Sequence, residues 1–144
     1  MRENDTPDAN IVLYAYNENA PKHTEAKERL EEQFSQPVVF GLSWQVITAF
    51  WRISTNPRAF PQPFSLQEAI EIVDEWLRHP RVVILTPTEN HWAIFQDLIK
   101  EGQTKAALMM DAHLAALIIE HGATLATTDS DFSKFSSLKL ISPL

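Results

Sequence analysis

Four short, mainly apolar runs constrain this chain most: Pro37-Val38-Val39-Phe40-Gly41-Leu42, Val82-Val83-Ile84-Leu85, residues 123–127 and residues 138–141. Each is too short for a core helix. Each is also continuous rather than alternating, the pattern of a strand covered on both faces. Segments with apolar residues three and four apart separate the runs. Such alternation predicts an α/β domain: a central parallel sheet of four or five strands between helical layers. At 144 residues without repeat or linker, residues 1–144 are read as one domain.

Local signals place the helices. Ser43 stands as an N-cap before Trp44, Ile47, Phe50 and Trp51, and Pro57 ends that helix by disfavouring the α conformation at Asn56. Ser65 with Glu68 forms a capping box ahead of an inner stripe of Ile70, Val73 and Leu77. Thr88 is expected to cap a helix through Trp92, Phe95 and Leu98. A helix over 107–120 should close on Gly122 in the left-handed conformation. Residues 25–33 read as a solvated helical face, and the tryptophans as core or interface residues.

Composition excludes several functions. With no cysteine, thiolate metal sites and disulfides are ruled out. The three glycines, at 41, 102 and 122, cannot form a phosphate-cradling loop. A net charge of −7 argues against broad nucleic-acid binding. Between Glu32 and Glu68, however, the only charges are Arg52 and Arg58, either a local cationic patch or two solvated side chains. The longest apolar stretch, 106–119, is interrupted by Asp111 and His113 and is too short for a bilayer. The polar start does not read as a signal peptide, so a soluble cytoplasmic protein is expected.

The chemistry-bearing residues are acids. Asp111 shares a helical face with Leu114, Ala115 and Ile118, where a charge needs a partner, and no Lys or Arg lies three or four residues away. Asp129 and Asp131 follow the run at 123–127, at the strand end where open parallel sheets bind ligands. Oxygen donors without cysteine favour Mg2+ or Mn2+, and such ions serve phosphodiester hydrolysis. The plain alternative makes Asp8 and Asp129 helix caps and leaves Asp111 half exposed. His113 reads as a packing histidine rather than a ligand, and His23, His79, His91 and His121 as scattered.

Four segments, in order, resemble the PIN-domain ribonucleases, in particular the VapC toxins of VapBC toxin–antitoxin pairs. They are Asp8-Ala9-Asn10-Ile11-Val12-Leu13-Tyr14-Ala15, Phe50-Trp51-Arg52-Ile53-Ser54-Thr55-Asn56-Pro57-Arg58, Asp111-Ala112-His113-Leu114-Ala115-Ala116-Leu117 and Thr127-Thr128-Asp129-Ser130-Asp131-Phe132. The resemblance implies a three-layer α/β/α sandwich and Asp8, Asp111, Asp129 and Asp131 as ligands of Mg2+ or Mn2+. It also implies Asn10 supporting Asp8, an RNA substrate, a homodimer and an inhibitory VapB antitoxin. The chain departs from the pattern twice. Ala49 stands where many members carry a glutamate, and the lead-in Arg2-Glu3-Asn4-Asp5-Thr6-Pro7 is polar, so the first strand must be very short or frayed.

The expected activity is thus endoribonucleolytic, with Asp8, Asp111 and Asp129 catalytic and Arg52 or Arg58 holding RNA phosphate. No direct sequence-specific DNA binding is expected. Ala49 motivates an alternative, a catalytically weak domain that chiefly binds its antitoxin. A phosphatase with an Asp nucleophile is disfavoured, because no Lys lies near Asp8.

Overall fold

The structure, a computed structural model, describes residues 5–102, 105–142 and 144, with the side chain of residue 107 left aside. Of the polar lead-in, residues 2–4 lie outside the described residues. Its elements are β1 (Asp5–Pro7), α1 (Ala9–Tyr16), α2 (His23–Ser35), β2 (Phe40–Ser43), α3 (Trp44–Ser54) and α4 (Leu66–Arg78). There follow β3 (Val82–Leu85), α5 (His91–Glu101), α6 (Met109–Glu120), β4 (Thr124–Ala126) and β5 (Lys139–Ile141). Short 3-10 turns, Ala106–Leu108 and Ser130–Lys134, precede α6 and β5.

All pairings are parallel. β1, β4 and β5 form one ladder in the order β1-β4-β5, and β2 pairs with β3 in register Phe40↔Val82. The two ladders meet at β1 and β2. A Cβ built on Gly41 would lie 2.8 Å from Thr6 Oγ1, so the strands approach too closely there for a side chain. Side by side, the strands run β3-β2-β1-β4-β5.

That order fixes the layers. Crossovers between parallel strands are right-handed. The chain moves one way from β1 through β2 to β3, then turns back to β4 and β5. Helices α1 to α4 therefore cover one face and α5 and α6 the other, and contacts among α1, α2, α3 and α4 and between α5 and α6 follow this division. The point of reversal lies between β1 and β4, where doubly wound sheets open a crevice beyond the strand ends.

The core is aromatic under α1 to α4. Phe50 and Trp76 pack at 4.7 Å between ring centroids, and Tyr16 meets Phe50 edge-on at 5.3 Å. Trp76 also donates its indole N–H to Tyr16 Oη. Because Trp76 takes the inward position on α4, the stripe expected of Ile70, Val73 and Leu77 is displaced. Ile70 is 42% and Leu77 37% exposed, and Ala69 and Trp76 are the buried residues. Ile70 and Val73 line a shallow apolar groove with Trp44, Ile47 and Trp51. Of the four tryptophans only Trp76 is a core residue.

Several caps form as the residues dictate. Ser43 Oγ accepts from Val46 N, and Ser65 with Glu68 makes the complete capping box. Gly122, at φ +64°, closes α6 with Gly122 N donating to Ile119 O and Ala123 N to Ile118 O. β2 spans Phe40–Ser43 where the sequence predicts a strand over 37–42, and two helix starts differ from expectation. α6 starts at Met109 after the 3-10 turn. α5 starts at His91, because the Thr88 hydroxyl accepts from Asn90 N in a tight turn rather than capping a helix. No helix among the described residues is long and apolar enough to cross a membrane.

Candidate metal centre

The crevice between β1 and β4 is where the acids converge. Asp8 follows β1 directly and has extended backbone (φ −73°, ψ 160°), as an N-cap requires. Its Oδ1 accepts from Ala9 N at 2.8 Å and its Oδ2 from Thr127 Oγ1 at 2.9 Å. Thr127, 6% exposed at the end of β4, also accepts from Asp129 N at 3.0 Å, and Asp129 Oδ1 accepts from Asp131 N at 2.9 Å. A hydrogen-bonded chain thus links Asp8, Thr127, Asp129 and Asp131 across the two strand ends. Capping and clustering coexist: the bonds that satisfy backbone N–H groups also fix where the carboxylates sit.

From the opposite direction, the first turn of α6 brings in Asp111. One carboxylate oxygen from each of Asp111, Asp129 and Asp131 lies within 4.8 Å of the others. Asp8 stands just outside this trio, with both oxygens engaged, yet within electrostatic reach of it. Burial pushes the Asp111 carboxyl above its ordinary range, and repulsion from Asp129, Asp8 and Asp131 pushes it further, against a pull from Lys134. Asp8 is raised too, chiefly by burial; the hydrogen bonds from Thr127 and Ala9 oppose this and Asp129 adds to it. Among the described residues, no Lys or Arg forms an ion pair with these acids. An oxygen-only donor set with mutual repulsion and no paired cation fits a hard divalent ion.

The remaining candidates fall around this centre. Asn10 is partly buried in the first turn of α1, beside Asp8. Arg52 is exposed in the last turn of α3, and Arg58 is exposed in the following turn, where its N–H bonds Asn56 Oδ1. Ala49 is partly buried on α3. One turn before it, Gln45 donates Nε2–H to Met110 O at 2.9 Å, and its Oε1 is buried with no hydrogen-bond partner.

His91, read from the sequence as scattered, comes together with His113. His91 Nδ1 lies 2.5 Å from Glu120 Oε2 and its Nε2 3.0 Å from His113 Nδ1, while His113 stacks on Phe95. Glu120 Oε1 also accepts from Thr88 N. The group ties the end of α6 to the start of α5, the packing role expected of His113. Burial, then His91, holds the His113 imidazole below its ordinary range, opposed by Glu120.

Sequence reasoning missed Thr127, Gln45 and Lys134. Lys134 had a local signal, three residues past Asp131 in the same turn. Gln45 lay four residues before the departure at Ala49. Thr127 looked like the last residue of a strand, and its contact with Asp8 depends on strand order alone.

Comparison with known proteins agrees with this architecture. The PIN domain family matches residues 6–138. Ribonuclease VapC37 of Mycobacterium tuberculosis is 36% identical over 136 residues, 94% of each chain. The crystal structure of VapBC2 from Rickettsia felis bound to a promoter DNA fragment superposes with a TM-score of 0.68 at 18% identity, covering 95% of this chain and 96% of that one. That of Mycobacterium tuberculosis VapC20, described as a sarcin–ricin loop cleaving toxin, superposes at 0.63 with 19% identity, covering 94% and 98%. By family match and by identity along almost its whole length, the chain belongs to the PIN-domain family, among the VapC ribonucleases.

Proposed function

We propose that this chain is a divalent-metal-dependent endoribonuclease, the toxin of a toxin–antitoxin pair. The observation that carries the reading is the convergence of Asp111, Asp129 and Asp131 beside Asp8 at the switch point of the sheet. The ribonuclease name of a relative 36% identical, and the RNA-cleaving description of a structural neighbour, support RNA as substrate. Neighbours solved as VapBC complexes support a VapB-type antitoxin as partner.

Asp111, Asp129 and Asp131 would hold Mg2+ or Mn2+, with Asp8 completing the charge around the ion. Bound there, the cation supplies an activated water and neutralises charge developing on the scissile phosphate. Asp8, held by Thr127 and Ala9 and flanked by Asn10, keeps its carboxylate fixed toward the crevice. Lys134 offsets part of the negative charge that an RNA backbone would meet. Arg52 and Arg58, outside the acidic centre, would take more distant phosphates by bidentate contacts. The protein is expected to act in the cytoplasm as a homodimer.

The test is cleavage of a defined RNA by the purified chain with Mg2+, with Mn2+ and with chelator, beside Asp111→Asn. Metal-dependent cleavage lost in the variant is expected. Equal cleavage by both proteins, or cleavage unaffected by chelator, would refute the reading.

A further inference from the structure

One polar group on α3, bonded to the turn that carries Asp111, is unexplained. At Ala49 the helix offers no carboxylate. One turn earlier, Gln45 crosses to α6 and bonds the Met110 carbonyl, next in sequence to Asp111, at 2.9 Å. That contact joins residues 65 apart and is a direct tie between α3 and the turn that carries Asp111. The same amide leaves Oε1 buried and unpartnered. A buried acceptor with nothing to accept is costly, and native proteins usually satisfy it with water or a ligand. An amide oxygen only accepts. It suits an O–H donor.

We propose that Gln45 is a positioning residue of the acidic centre, acting on it from α3. Its Nε2–H pins the first turn of α6 and so the direction of Asp111. Its Oε1 accepts a hydrogen bond from water that enters with the cation. Being neutral, Gln45 adds order without adding to the repulsion among the acids. The inference rests on the metal-site reading above and extends it to a residue outside the acids.

Calorimetric titration of the full-length chain with Mn2+ tests this without reference to RNA cleavage. Gln45→Met conserves shape but removes both hydrogen-bonding atoms. Its Mn2+ affinity should fall by about tenfold, within the range typical when a ligand's supporting hydrogen bond is lost. Its melting temperature in chelator should match the wild type, separating the loss from a folding defect. Gln45→Glu restores an oxygen at the Oε1 position and should bind Mn2+ more tightly than Gln45→Met. If Gln45→Met does not fold, Gln45→Ala takes its place in both comparisons. Wild-type affinity in Gln45→Met, or binding by Gln45→Glu no tighter than by Gln45→Met, would overturn the proposal. Asp111→Asn separates the two levels. If it abolishes Mn2+ binding while Gln45→Met does not, only the role of Gln45 fails. If Asp111→Asn also binds as wild type, the metal-site reading fails with it.

Discussion

Thr127 Oγ1 donates to Asp8 Oδ2 at 2.9 Å, joining residues 119 apart in the chain, and accepts from Asp129 N at 3.0 Å. One hydroxyl therefore sets the separation of two carboxylates on neighbouring strands. Thr127→Val keeps the shape and removes both bonds. Leaving half-buried polar groups unpaired should cost about 1–3 kcal/mol, read as a lower midpoint in denaturant melts. RNA cleavage should fall more than stability alone explains, because Asp8 and Asp129 lose their common reference. A variant with wild-type cleavage would remove Thr127 from the site.

Asp111→Asn should separate function from stability. Cleavage should drop by more than the 10–100-fold usual for a residue that merely supports a ligand. Stability should rise in chelator at neutral pH, since a repelled charge is gone. The pH dependence follows from the raised carboxyls of Asp111 and Asp8. Between the ordinary 3.8 and the raised folded values, the folded chain binds more protons than the unfolded one. The favourable contribution is thus present below 3.8 and is lost as pH rises through the folded value. Melting in chelator should show wild type losing stability over that window with a shallower loss in Asp111→Asn. A saturating divalent cation should reverse the trend. Equal slopes in both proteins would contradict this.

What could be read in advance was local. Asp8 before an apolar helix, Ser65 with Glu68, and Gly122 after a helix each state their conformation within a few residues, and each forms as read. The strand runs were legible as short apolar stretches, although only β2 among them is buried throughout and the edge strands β3 and β5 expose Val83 and Leu140. Contacts across elements were not. Nothing near Ile70 says that Trp76 will occupy the inward face by packing against Phe50 and bonding Tyr16. Nothing near His113 says that His91, 22 residues earlier, will lie 3.0 Å away. Asp111 stood out because a charge on an apolar helical face is anomalous in any context, Asp129 and Asp131 because they follow a strand run, and Asp8 through the family resemblance. Thr127 and Gln45 were missed because a threonine ending a strand and a glutamine starting a helix are unremarkable until the strand order is known.

The histidine pair gives the opposite pH signature. His113 is held below its ordinary 6.5. The unfolded chain therefore takes up a proton first as pH falls from 6.5, and stability is lost progressively down to the folded value. His113→Phe should flatten that loss while keeping the ring stacked on Phe95. Melts with metal present, between neutral pH and the onset of carboxylate titration, check it. An unchanged slope would mean that the group contributes nothing to acid sensitivity.

Gly41→Ala should destabilise the junction of the two ladders. The added Cβ would lie 2.8 Å from Thr6 Oγ1 and 3.0 Å from Leu85 Cδ1. Thr6 is fully buried, so relief requires moving β1 away from β2. A cost of about 1–3 kcal/mol is typical of such overpacking. Because β1 carries Asp8 at its end, Mn2+ affinity should weaken alongside the melting temperature. Loss of stability with unchanged Mn2+ binding would show that the strand shift does not reach the site.

Lys134 is the test of how an acidic protein meets RNA. Its ammonium lies 5.2 Å from the Phe135 ring centroid and opposes the repulsion acting on Asp111, while Phe135 itself is 1% exposed. The ammonium is thus held over a buried ring within electrostatic reach of Asp111. If it contacts one backbone phosphate, Lys134→Gln should weaken binding of a non-cleavable single-stranded RNA and lower the slope of log affinity against log salt by about 0.7. The KM for a cleavable RNA should rise more than kcat falls, since the charge acts on bound substrate and transition state alike. Lys134→Arg should restore most of both. The same slope in Lys134→Gln as in wild type would mean that the lysine only moderates the acids, and Arg52 and Arg58 would then be left to carry the phosphate contacts.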